Sequence, residues 1–147
     1  MRHTFHQQLS WGSTRNEIGE VIIGQTPIPF SIPQDLQGPG VGTNPDELLL
    51  SSAAGCYIMT LGAMFERSSL HIEQITMHSE LDISVTNGEF KVEEIRHHPT
   101  LSGFDPSKRK MIERIVHKAD ERCMISNALK ASVTITIHPE YIEEVHS

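Results

Sequence analysis

Residues 44–66 confine this chain more tightly than any other stretch. Asn44-Pro45-Asp46-Glu47 combines three signals of a helix start: Asn as N-cap, Pro at the first helical position, and acids against the positive helix end. Glu47 stands three after Asn44, the spacing of a capping box. Across residues 48–65 almost every face of that helix is apolar or small. Such a helix is buried all round. A chain of 147 residues must then cover it on every side, which points to a sheet on one face and a partner chain on another. The mainly apolar run, residues 48–63, contains Ser51, Ser52 and Thr60 and is shorter than a bilayer span, so a core helix is expected and no transmembrane one.

The flanking segments read as strands and one further helix. Residues 4–11 alternate moderately, residues 20–24 carry Val21-Ile22-Ile23, and a third extended piece around Ile28 is interrupted by Pro27 and Pro29. Those prolines confine it to an edge or a bulge. Residues 34–43 form a Gly/Pro-rich loop. Residues 74–85 alternate with the strand period, Asn87-Gly88 is a short-hairpin signal, and residues 90–97 return as a second strand. Residues 98–103 read as a loop. Asp105 or Ser107 caps a helix with Met111, Ile112, Ile115, Val116 and Ala119 on one face. A turn at residues 126–129 leads to a last strand, 132–138, ended by Pro139. The order β-β-β-α-β-β-α-β, with strands in antiparallel hairpins, gives an α+β class and a single domain, 1–147.

Composition narrows the function classes. Net charge is −7, which argues against a nucleic-acid or anionic-membrane binder. Aromatics are only 5%, so the core is aliphatic and Met-filled, and Met59, Met64 and Met111 read as filler. The N-terminal residues lack the apolar stretch of a signal peptide. The expectation is a soluble cytoplasmic protein that binds no nucleic acid and no membrane. In a reducing compartment its two cysteines, Cys56 and Cys123, are not a permanent structural disulfide. With no C-x-x-C they do not make a zinc site. The plain reading of such thiols is two inert buried side chains.

Several other groups carry less. His97 and His98 are adjacent in a strand, so they point to opposite faces and one metal would rarely take both. Lys108-Arg109-Lys110 reads as a solvated helix face, and Glu66-Arg67 as a surface pair or helix end. Ser51 and Ser52 lack a G-x-S-x-G context for a serine nucleophile.

Two motifs change the reading of the cysteines. T-N-P-D-E-L at residues 43–48 is followed by A-A-G-C, with Cys56 twelve after Asn44, and C-M-I-S-N-A-L begins at Cys123. Together, in this order and spacing, they resemble the OsmC/Ohr family (osmotically inducible protein C and organic hydroperoxide resistance protein). The element order is similar too, so the resemblance covers nearly the whole chain. It implies an OsmC-like fold with a buried central helix, in an intertwined homodimer. It also implies a thiol-dependent peroxidase needing no metal or organic cofactor. In that reading Cys56 is the peroxidatic thiolate, Cys123 resolves its sulfenic acid to an intramolecular disulfide, and an external dithiol reduces the disulfide. The substrate is a small organic hydroperoxide.

The resemblance also implies a site carboxylate at Asp46, with Glu47 beside it. Within one helix, Asp46 and Cys56 are roughly 15 Å apart along the axis and roughly 80° around it. Asp46 therefore reaches a thiol of this kind only across a subunit boundary, and the plain alternative for both acids is helix capping. One departure stands out. The family's peroxidases use an Arg from the strand or loop before the helix, yet residues 16–66 contain no Lys, Arg or His, and Arg15 sits in the first predicted turn. Either another group such as Gln34 or a distant His activates Cys56, or the chain is a rival of a different class. The rivals are a non-catalytic module holding a small apolar ligand and a thiol redox sensor. Met124, where the family usually has Pro, is a smaller departure.

Overall fold

The computed structural model describes residues 1–143. The chain divides into two compact units, Met1–Leu49 and Leu50–Ser147. The first is an antiparallel meander of β1 (Gln8–Ser10), β2 (Gly19–Ile23) and β3 (Thr26–Phe30), in that order. Val21 pairs with Leu9 on one side and Ile28 on the other, and it is buried. Gly24 supplies the left-handed backbone (φ 64°) that the tight β2–β3 turn needs. Pro27 and Pro29 lie in β3, an edge strand, where a missing N–H is tolerated. Trp11 packs on Phe30 with ring centroids 5.3 Å apart. Arg15 donates to the carbonyls of Leu36 (2.6 Å) and Gln37 (3.2 Å), so it ties down the loop after β3. β1 is shorter than the alternation of residues 4–11 suggests, because only Gln8–Ser10 finds a partner in β2.

Helix α1 (Pro45–Arg67) starts as the sequence requires. The Asn44 side-chain oxygen accepts the Glu47 N–H at 2.9 Å. The capping box does not close, however, because the Glu47 carboxylate accepts the Thr43 hydroxyl at 3.1 Å instead. The far end closes in a Schellman motif: Ser69 turns left-handed (φ 55°), its N–H bonds Glu66, and the Leu70 N–H bonds Phe65.

The second unit is built on a long hairpin. β4 (Gln74–Thr86) and β5 (Glu89–Ser102) pair antiparallel around Asn87 (φ 53°) and Gly88 (φ 78°), a two-residue turn with both residues left-handed. A bulge places Asp82 opposite Glu94 and Ile83 opposite Val92, leaving Glu93 extra. On the hairpin's wet face Arg96 binds Asp82 bidentately at 2.7 and 2.9 Å and also reaches Glu80 and Glu94. β6 (Thr134–Ile137) and β7 (Glu140–Ile142) both run parallel to β5. The sheet is therefore mixed, which corrects the expectation of purely antiparallel pairing. Residues 98–102, expected as a loop because of His98-Pro99, continue β5. Pro99 is accommodated because it falls where β6, in register up to His97, gives way to β7, which begins opposite Thr100.

Three helices cover this sheet's core. α2 (Arg109–Arg122) buries Ile112, Ile115, Val116 and Ala119 on one stripe. It follows a short helical turn in which Asp105 accepts the Ser107 N–H. α3 (Met124–Leu129) forms where the sequence suggested a turn. The main core joins Tyr57, Leu61, Met64 and Phe65 of α1 with that α2 stripe, Leu101, Phe104 and Cys123. Each large apolar side chain buried there contributes roughly 1.5–3 kcal/mol. Arg109, expected as solvated, binds Glu113 and Glu143 at 2.9 Å each and lies over the Tyr141 ring.

α1 itself is buried on one stripe only, Ala53, Tyr57, Leu61, Met64 and Phe65. The sheet-side cover expected for this helix is therefore supplied within the chain, and its other face, expected to meet a partner chain, is open in the single chain. By length and composition α1 could also cross a membrane, and only 22% of its most apolar stretch is buried within the chain. Met59, read as core filler, is 75% exposed, and Met111 is exposed as well. Gly55 and Gly62 share the open face with Met59, with open space where a side chain would stand.

Candidate functional site

Tyr57 fixes the rotation of α1 in the second unit. Its hydroxyl donates to the Val116 carbonyl of α2 at 2.7 Å, and its ring is fully buried. The residue before it, Cys56, consequently stands at the rim of the buried stripe, half-exposed and packed against the core that contains Cys123. Cys123 is fully buried. It occupies the junction where α2 ends and α3 begins, with extended backbone (φ −73°, ψ 117°). Its N–H reaches the Asp120 carbonyl (3.4 Å), and its own carbonyl accepts the Asn127 N–H (3.0 Å). The fold thus brings together two thiols 67 positions apart in sequence, both reduced.

The two sulfurs have opposite electrostatic environments. Burial pushes the Cys56 thiol up, but the Ile125 amide, the Cys123 thiol, the nearby Thr60 hydroxyl (whose proton goes to the Cys56 carbonyl at 2.8 Å) and the Met124 amide outweigh it, and the net shift is downward. Burial also pushes the Cys123 thiol up. There the Ser126 hydroxyl and amide offset only part, and the neighbouring Cys56 adds to the rise. Cys56 therefore ionises first, beside a thiol that keeps its proton. A half-exposed thiolate facing a protonated buried thiol can attack an electrophile and then be captured as a disulfide.

The groups named as lowering the Cys56 pKa within this chain are all neutral. The donors include the first amides of α3, neutral groups that no residue type marks in a sequence where only residues 126–129 suggest a turn. Their one signal was the C-M-I-S-N-A-L stretch itself, which places Ser126 three after Cys123, fully buried beside that sulfur. Gln34 lies in a short helical turn of the first unit.

Behind the thiols is a buried polar layer. The His97 ring stacks on Tyr57 (5.4 Å, 14°) and its Nδ1 bonds the Ser79 hydroxyl at 2.7 Å. Its Nε2 is buried without a partner among the described residues, as is Asp120 Oδ1. Burial lowers the His97 pKa, opposed in part by Asp120, so the ring is neutral. His97 points inward and His98 outward, as their adjacency in a strand requires. No cluster of three or more His, Cys, Asp or Glu with metal-binding geometry occurs among the described residues. Asp46 and Glu47 occupy the first turn of α1, which runs unbroken past Cys56. Glu47 is engaged by Thr43.

A family model, that of OsmC-like proteins, matches residues 38–138. The chain belongs to the OsmC-like family. Relatives of this OsmC-like chain include the uncharacterized protein YmaD of Bacillus subtilis (strain 168), 40% identical over 138 residues and covering 92% of each chain. The organic hydroperoxide resistance protein of Xanthomonas axonopodis pv. citri is 29% identical, covering 74% of this chain and 75% of that one. Among solved structures, the organic hydroperoxide resistance protein OsmC of Legionella pneumophila superposes with a TM-score of 0.75 at 24% identity, over 95% of this chain and 99% of that one. The OsmC-like fold is therefore shown, and the family's members include proteins named for hydroperoxide resistance.

Proposed function

We propose that this OsmC-like chain is a thiol-dependent peroxidase that reduces organic hydroperoxides through Cys56 and Cys123. The observation that carries the reading is the pairing itself: a partly exposed free thiol packed against the core that holds a second, fully buried free thiol, with their opposed acidities in support. The Cys56 thiolate attacks the terminal oxygen of ROOH, the O–O bond breaks, and the leaving alkoxide takes a proton from solvent to give the alcohol. The resulting sulfenic acid condenses with the Cys123 thiol to a disulfide and water. An external dithiol then reduces that disulfide through a mixed disulfide and is itself oxidised. Aliphatic surroundings at Cys56 favour organic peroxides over hydrogen peroxide.

The functional unit in this reading is a cytoplasmic homodimer of one-domain chains, 1–147. It is supported by the open α1 face bearing Gly55, Met59 and Gly62, which a second copy would cover. Asp46 would then serve the partner's site, and Glu47, held by Thr43, would support it. The deciding experiment follows consumption of cumene hydroperoxide with a dithiol reductant in wild type, Cys56→Ser and Cys123→Ser. The expected result is turnover abolished by Cys56→Ser and stalled after one equivalent in Cys123→Ser. A wild type no faster than Cys56→Ser would overturn the proposal.

A further inference from the structure

α3 has only six residues, too few to hold its own shape. Its placement, and with it the placement of the Met124 and Ile125 amides, depends on bonds at its ends. At its start the Asn127 N–H bonds the Cys123 carbonyl (3.0 Å), and the Asn127 side chain donates to the Glu121 carbonyl (3.0 Å). At its end stands Lys130. The Lys130 ammonium pairs with Asp120 Oδ2 at 2.9 Å and also reaches the Asp120 carbonyl at 3.3 Å. That carbonyl is the one toward which the Cys123 N–H points. One cation therefore joins the last turn of α2 to the end of α3, straddling Cys123. The pair is shielded, with the Asp120 side chain 15% and the Lys130 side chain 34% exposed. Exposed pairs hold little. Breaking a shielded one leaves a buried carboxylate unmatched, here one whose Oδ1 has no partner among the described residues.

We propose that Asp120 and Lys130 are positioning residues for the Cys56 site, an ion-pair clamp across the Cys123 junction that holds the first turn of α3 against the Cys56 sulfur. The inference rests on reading Cys56 as the reacting thiol. Neither residue touches that sulfur, so both act through the Met124 and Ile125 amides. The titratable group that bears on the sulfur is Cys123 from the junction, and Tyr57, next on the same helix, turns into the core toward Val116. Behind these lie His97 on β5 and Asp120 itself.

The test is the pH profile of Cys56 alkylation by iodoacetamide, resolved by site in the reduced full chain, for wild type, Lys130→Met, Asp120→Asn and Lys130→Arg. In wild type the midpoint falls below the ordinary thiol value near 8.5. In Lys130→Met and Asp120→Asn it rises by about one pH unit, and Lys130→Arg restores it. A pair that only stabilises the fold would lower the melting temperature and leave the midpoint in place, and that result overturns the clamp alone. An ordinary midpoint in wild type would overturn the thiolate reading and the clamp with it. If Lys130→Met does not fold, the isosteric Asp120→Asn decides. If neither folds, the pair is a folding element and the proposal fails.

Discussion

Cys123 is fully buried in the core against which the more exposed Cys56 packs, and burial holds its proton in place while Cys123 helps to lower the Cys56 pKa. The pair is thus asymmetric before any oxidant arrives. A donor at position 123 matters to Cys56 even before a disulfide forms. Cys123→Ala, which removes the donor, is expected to raise the Cys56 titration midpoint above that of Cys123→Ser, which keeps one. The gap should be on the order of half a pH unit, since hydrogen bonding to the charged form lowers a thiol pKa. Thiolate absorbance near 240 nm in the two single-cysteine proteins reads it directly, and superimposable curves would refute the donor role.

Ser126 acts on the other sulfur. Its amide and its buried hydroxyl lie beside that sulfur and favour ionisation of Cys123, although the hydroxyl oxygen makes no hydrogen bond among the described residues. Ser126→Ala should leave the first oxidation of Cys56 unchanged and slow disulfide closure several-fold, because the capturing thiol becomes a poorer acid. Dimedone trapping of the Cys56 sulfenic acid should increase in this variant. An unaltered lifetime for that species would remove Ser126 from the resolving step.

His97 gives the fold a pH dependence with a definite sign. Its folded pKa lies below the unfolded value of about 6.5, because burial disfavours the imidazolium. Above that pH the ring is neutral in both states and its contribution is complete. Below it the unfolded chain binds a proton that the fold refuses, so stability falls as pH drops toward the folded pKa. The slope approaches about 1.4 kcal/mol per pH unit. Urea midpoints at pH 7.5 and 5.5 should diverge more in wild type than in His97→Gln, and equal differences would show that the ring titrates freely.

The open face of α1 predicts association. Met59 is 75% exposed in one chain and lies on the same face as Gly55 and Gly62, where no side chain holds a neighbour away. Met59→Glu places a charge at the centre of that face. Sedimentation should show a wild-type dimer of the 16.5 kDa chain and a dissociated variant. A wild type sedimenting at the mass of one chain would sink the homodimer.

The parts of this molecule governed by local chemistry were legible in the sequence. Asn44 and Pro45 announced the start of α1, Asn87-Gly88 announced the hairpin, and the spacing of Ile112, Ile115, Val116 and Ala119 announced the buried face of α2. What escaped was decided by partners distant in sequence. β5 runs through Pro99 because its neighbours change there, from β6 to β7, and nothing local to His98-Pro99 encodes that. β7 itself follows a proline that reads as a stop. α3 is too short to show a period, yet its first amides face Cys56. A cation is a residue type that a sequence displays, whereas backbone amides leave no such mark.

Activation by amides, a hydroxyl and a thiol has a consequence for the medium in which the chain works. Mobile ions screen charge–charge interactions over a Debye length of about 8 Å at physiological ionic strength and about 3 Å at 1 M. Neutral donors in contact with a sulfur leave no such gap for an ion cloud to fill. Within one chain these contributions to the acidity of Cys56 are therefore insensitive to salt, and any change in its reactivity through an osmotic upshift would report a charge brought by a partner, such as the Asp46 carboxylate.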